Sequence, residues 1–282
     1  MIDLVSEAFE PAFMQRALWG GIVAAIATSL VGTWVVLRGL AFLGDALAHG
    51  VIPGIAVAIL VGIHPAIGAF VAALVMSGLI SVVSSRTTVR DDTAIGLLFV
   101  GMLALGIVIV SQSRAFAIEV TALLFGDVLG VTWADIQLQV IGAIIVLATT
   151  VVFYRPFMAL TFNADKAKTL GMRPKVTQAL LLSMLALSIV ASFQAIGTLL
   201  VFGLLVGPPA SAALMVRRVP VIMAVAAVLG SASVFVGLMM SFHWGTAGGA
   251  TIAGLSVLQF FIVMTIKELF TLRRPSYEPT AY

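Results

Sequence analysis

No cysteine occurs in the 282 residues, so disulfides and thiolate metal sites are excluded. Charge is scarce as well. Asp, Glu, Lys and Arg make up 10% of the chain, against about 25% in a soluble domain. No H-E-x-x-H is present, which removes the zinc-helix signature of a metalloprotease, and no second histidine lies within a helical turn of His49. No G-x-x-x-x-G-K-[ST] occurs, so the chain has no P-loop of its own. Nothing in the composition points to nucleic acid. The start, MIDLVSEAFEPAFMQRALWGG, lacks a basic n-region and runs into an apolar stretch longer than a signal peptide, so no cleavable leader is expected.

Apolar residues fill the space that charge leaves. They are 61% of the chain, and the mean hydropathy is +1.19. That composition is expected of an all-α polytopic membrane protein, in contact with lipid on most sides. The 26 glycines suit close helix packing in lipid. A crossing helix needs about 20 apolar residues. Segments near 17–37, 40–62, 65–83, 94–110, 134–154, 176–195, 197–216, 219–241 and 248–266 meet or approach that length. Only FQAIG separates the sixth from the seventh, so the reading is eight to nine spans.

Cationic residues orient the spans, because short cytoplasmic loops are rich in Lys and Arg. Arg38 follows the first span, and Arg86 and Arg90 the third. Arg155, Lys166, Lys168, Arg173 and Lys175 follow the fifth, Arg217 and Arg218 the seventh, and Lys267, Arg273 and Arg274 the last. Placing all of these inside gives a consistent alternation, with the N-terminus outside in the nine-span arrangement. His64, Arg114 and His243 are then the main basic side chains outside. The chain divides into an interfacial N-terminal segment 1–16, a transmembrane domain 17–270 and a cytoplasmic tail 271–282. Residues 111–133 read as an outer re-entrant or interfacial element.

The inner segment 155–175 contains NADKAKTLG. Asn163 is a helix start signal and Gly171 a stop. A short capped helix there suits the docking of a soluble partner; an ordinary positive-inside loop is the plainer reading. A faint internal echo links VGTWVVLRGL at 31–40 to IGTLLVFGLL at 196–205, each followed by a Gly- or Pro-interrupted segment. Repeats with broken helices near the substrate path are common in transporters.

The costliest residues lie in GLAFLGDALAHGVIPGIAVAILVG, residues 39–62. Asp45 and His49 are four apart and share a helix face. A charge at that depth costs at least about 2.5–3.5 kcal/mol on insertion scales. Three readings are open: a structural pair, a proton relay, or ligation of a divalent cation by carboxylate and imidazole, a donor set that suits manganese, zinc or ferrous iron. Beside them, Gly50 and Gly54 with Pro53 between form a small-residue step for helix packing.

LRGLAFLGDALAHGVIPGIAVAILVG resembles the signature of the permease subunits of bacterial ABC importers for manganese, zinc and iron. The likeness extends to MQRALWGGIVAAIATSLVGTWVV, RDDTAIGLLFVGMLALG at 90–106, LLFGDVLGVTWAD at 123–135, NADKAKTLGM at 163–172 and AIGTLLVFGLLVGPPASAALM at 195–215. Where many relatives carry a proline-rich outer turn before the last span, this chain reads FHWGTAGGA.

The resemblance implies a type II ABC importer-like fold in the bacterial plasma membrane and a homodimeric pore. It implies two cytoplasmic ATPase subunits that bind the ATP, and an extracytoplasmic metal-binding protein that delivers the ion. Asp45 and His49 would belong to the metal path. Asn163, Ala164, Asp165, Ala167, Leu170 and Gly171 would form the ATPase-coupling segment. The chain would be a transport subunit rather than an enzyme, with no permanently bound cofactor. A proton-coupled secondary transporter using the same two side chains is the alternative, although it would not require a docking helix.

Overall fold

A computed structural model describes residues 7–86, 91–111, 130–162, 172–196 and 198–272. Its regular elements are helices: α1 (Ala12–Leu37), α2 (Ala41–Gly50), α3 (Ile52–Val61), α4 (Pro65–Arg86), α5 (Asp91–Ser111), α6 (Trp133–Val152), α7 (Tyr154–Phe162), α8 (Pro174–Ile196), α9 (Thr198–Met215), α10 (Val219–Trp244) and α11 (Gly248–Leu272). Eight helical segments are long and apolar enough to cross a membrane, with α2 and α3 together making one of them. The apolar part of α9, Leu200–Met215, is shorter. The reading of eight to nine membrane helices therefore holds, with α9 as the ninth.

Two boundaries differ from expectation. α1 starts at Ala12, inside the segment read as interfacial, because Pro11 holds an extended backbone (φ −66°, ψ 134°) and its carbonyl accepts the first helical N–H groups. The basic stretch read as a loop after the fifth span opens with a further helix, α7. There Phe157 and Leu160 are buried while Arg155 leaves the core, an amphipathic pattern that positive charge masks in the sequence.

α1 is the most enclosed span and α5 the most exposed. α1 packs against α6, α8, α9 and α10 through small residues. A Cβ on Gly21 would strike Val234 of α10, and one on Gly32 would strike the carbonyl of Leu205 in α9. That carbonyl is free to lie there because Pro209, four residues on, has no N–H to bond it. In α9, Gly203 and Gly207 meet Ala253 and Ser256 of α11 at backbone distance. The largest buried side chain, Trp34, is tilted against Tyr154 and Phe157, with ring centroids 5.8 and 5.6 Å away. This aromatic cluster ties the C-terminal end of α1 to α7.

Candidate ion-binding site

The site begins with a turn. Leu37 ends α1, and Gly39 adopts φ +67°, a left-handed conformation that suits glycine. The Gly39 N–H bonds the Val36 carbonyl and the Leu40 N–H bonds the Val35 carbonyl, both at 3.0 Å. This paired closure turns the chain sharply back into α2.

α2 carries Asp45 and His49 and stops at Gly50, one residue before α3 begins. Pro53 supplies the reason for the break. It sits in the first turn of α3 and has no N–H for the His49 carbonyl, which instead takes the Val51 N–H. Counted at 1.5 Å per residue from Ala41, His49 lies about 12 Å along a span that crosses a roughly 30 Å core. The break is pinned on its other side. Gly50 lies directly on the Met76 sulfur and Gly54 on the Gly68 carbonyl, so α3 and α4 meet backbone to backbone.

The two polar side chains lie together on one face, as their spacing requires. His49 Nδ1 is 3.1 Å from the Asp45 carbonyl oxygen and 3.4 Å from Asp45 Oδ1. Both side chains remain reachable, His49 at 23% exposure and Asp45 at 29%. Phe99 of α5 stands edge-to-face against the imidazole, with centroids 5.8 Å apart and planes at 87°. Phe42, three residues before Asp45, meets the same Phe99 at 5.8 Å. The site is thus an acid and an imidazole with an aromatic wall, at a helix break. Neither phenylalanine was marked by any sequence signal.

His64 and His243 lie elsewhere. His64 Nδ1 receives the Ala66 N–H at 3.3 Å at the start of α4, and His243 Nδ1 is 2.8 Å from the Met239 carbonyl at the end of α10; both are exposed. Among the described residues, no group of three or more His, Cys, Asp or Glu is placed to hold one metal ion. The described chain therefore brings two such side chains to this site. Asn163, Ala164, Asp165, Ala167, Leu170 and Gly171 fall outside the described residues.

Comparison with known proteins places this arrangement in a family. A family model described as the ABC 3 transport family matches residues 10–267. The manganese transport system membrane protein MntC of Halalkalibacterium halodurans is 34% identical over 253 residues, spanning 88% of this chain and 87% of that protein. A probable iron transport system membrane protein of Haemophilus influenzae is 34% identical over 271 residues, spanning 95% and 99%. The solved structure of PsaBC from Streptococcus pneumoniae in complex with Fab superposes with a TM-score of 0.85 at 27% identity, covering 97% of this chain and all of the matched one. With a family match over nearly its whole length and a shared helical architecture, the chain belongs to the ABC 3 transport family as a multi-pass membrane permease.

Proposed function

We propose that this permease carries a divalent transition metal ion (Mn²⁺, Zn²⁺ or Fe²⁺) inward across the plasma membrane, driven by ATP hydrolysed on a separate subunit. The observation that carries the reading is the partly exposed Asp45–His49 pair at mid-membrane depth on a broken helix. Such a pair is costly in lipid and offers a cation mixed oxygen and nitrogen donors. The names of the relatives support the cargo class, since one is a manganese and another a probable iron transport protein. Imidazole and carboxylate do not by themselves separate these metals, and raw affinity favours zinc over manganese. Selection then falls largely to an extracytoplasmic protein that delivers the ion.

Two donors are too few for a complete site, because zinc takes about four ligands and manganese about six. A homodimer resolves this. A two-fold axis brings the same face of each copy together and doubles the donor set around one path, with water filling the rest. Incomplete protein ligation suits transport, since an ion held too firmly does not leave. ATP is consumed elsewhere, as the sequence has no P-loop. The segment Asn163–Gly171, with the basic residues around it, forms the docking point for that ATPase.

The test is reconstitution of the permease with its ATPase in proteoliposomes, reading metal uptake and ATP hydrolysis side by side. Asp45→Ala and His49→Ala are expected to lose uptake at least about tenfold, in line with loss of a metal contact, while the assembled complex still hydrolyses ATP. Leu170→Asp is expected to disconnect hydrolysis from uptake. Uptake at the wild-type rate in the Asp45→Ala, His49→Ala double variant would remove the pair from the path. Proton-driven uptake without ATP would replace the importer reading with a secondary transporter.

A further inference from the structure

We infer that Trp34 and Phe157 form the joint through which movement at the ATPase-docking segment reaches the membrane helices. Both are then positioning residues for the coupling of ATP hydrolysis to transport. This inference rests on the proposed function, in which Asn163–Gly171 docks the ATPase.

α7 ends at Phe162, next to Asn163 in the chain. Its link to α6 is a bend. Pro156 sits in the first turn of α7 and has no N–H for the Val152 carbonyl. Helical bonds run on either side of the bend: the Phe153 N–H bonds the Thr149 carbonyl and the Phe157 N–H bonds the Phe153 carbonyl, both at 2.9 Å. A proline bend of this kind weakens the backbone hold of α6 on α7.

Trp34 of α1 supplies a second hold. Its indole meets Tyr154 at 5.8 Å and Phe157 at 5.6 Å, residues three apart on one face of α7. Phe153, at the bend, lies 6.3 Å from Phe157. Trp34 and Phe157 are fully buried and share one apolar core with Val31 and Val35 of α1 and Leu182 and Leu185 of α8. Trp34 Nε1 has no hydrogen-bond partner, so ring packing alone seats the indole. A close-packed interior passes strain on. Two residues before Trp34, a Cβ on Gly32 would strike the Leu205 carbonyl of α9, and a Cβ on Gly44 of α2 would strike the Leu205 side chain. A displacement of α7 therefore runs through Trp34 and α1 to α9 and on to α2, by contiguous packed contacts.

The test uses the permease assembled with its ATPase in proteoliposomes, with Mn²⁺ as the cargo. ATP hydrolysis, Mn²⁺ uptake and apparent melting temperature are read for each variant. Trp34→Phe and Phe157→Leu keep an apolar side chain in place and remove ring area from the joint. Each is expected to lower the Mn²⁺ taken up per ATP by about 2–30-fold, the range for residues along a coupling network. The Mn²⁺ concentration for half-maximal uptake is expected to stay as in wild type. The double variant is expected to lose no more than the worse single one, because both changes act on one joint. Leu238→Ala is the stability control. Leu238 is fully buried on α10 in a separate core, so the change is expected to lower the melting temperature and leave uptake per ATP unchanged. An unchanged ratio in both joint variants overturns the inference and leaves the importer reading intact, and so does an equal fall in Leu238→Ala. A shifted half-maximal concentration places the effect on ion binding and also overturns it. Losses that multiply in the double variant overturn the single joint. Wild-type uptake that needs no ATP overturns the proposed function itself.

Discussion

Gly54→Ala is expected to destabilise the permease far more than its single added methyl suggests. The new Cβ would fall on the Gly68 carbonyl oxygen, 2.6 Å from the Ala72 Cβ and 2.8 Å from the Gly68 carbonyl carbon. The contact is reciprocal: a Cβ on Gly68 would meet the Gly54 carbonyl and the Ala58 Cβ. Comfortable carbon–carbon separations are about 3.5–4.0 Å, so α3 and α4 must part by about 1 Å. The obstruction is backbone, and no rotamer change relieves it. Overpacking of this kind costs about 1–3 kcal/mol.

Gly50→Ala makes a useful contrast, because the atom in its way is the thioether of Met76, the flexible part of a side chain. Gly78 and Gly254 are controls with nothing within 4 Å of the added carbon. There the exchange is expected to be neutral or to gain up to about 1 kcal/mol of helix propensity. The readout is the apparent melting temperature of the purified complex in one detergent, ordered Gly54→Ala lowest, Gly50→Ala next, and the two controls at or above wild type. Gly54→Ala melting together with Gly78→Ala would refute the backbone-contact account of the α3–α4 seam.

Two further outcomes follow from the same packing. Trp34→Ala should cost about 3–5 kcal/mol, because the side chain is fully buried against Tyr154 and Phe157. Trp34→Phe should cost much less, since the indole N–H has no hydrogen-bond partner to lose; equal melting temperatures for the two would contradict this. At the start of α6, Thr132 and Asp135 bond reciprocally, with the Asp135 N–H on Thr132 Oγ1 at 3.3 Å and the Thr132 N–H on Asp135 Oδ2 at 3.0 Å. Thr132→Ala should therefore weaken that helix start by about 1 kcal/mol, seen as faster amide exchange confined to the first turn of α6, while Thr132→Ser should exchange like wild type.

How far the sequence could be read depended on the range of each interaction. Spans were legible because lipid demands long apolar runs whatever their neighbours. Asp45 and His49 were legible as a pair because helical spacing alone places residues four apart together. Gly39, Gly62 and Gly245 mark helix ends at positive φ, but little in the sequence separates them from the glycines inside the helices. Phe99 was not legible. It reaches His49 across two helices fifty residues apart in the chain, and within GLLFVGMLALG nothing sets it apart from its apolar neighbours. The α7 helix escaped notice because its two buried residues, Phe157 and Leu160, sit in a basic segment too short to show a clear period. The close contact of the Leu205 carbonyl with Gly32 was equally hidden, since it depends on how α9 lies on α1.

The break between α2 and α3 explains why the costly pair sits where it does. An unbroken span would bury every backbone carbonyl in i→i−4 bonds and offer a cation only side chains. Pro53 denies the His49 carbonyl its usual donor, and Gly50 closes α2 one residue after His49. The last carbonyls of α2 thus lie outside a continuous helical ladder. Irregular backbone at this depth is tolerated only where protein or a wet path surrounds it. Here α4 covers one side through Gly50 on Met76 and Gly54 on Gly68, while α5 covers another through Phe99. The glycines therefore do more than let helices approach. They seat the break against α4, and on the proposed ion path this keeps the partly exposed acid and imidazole in place beside it.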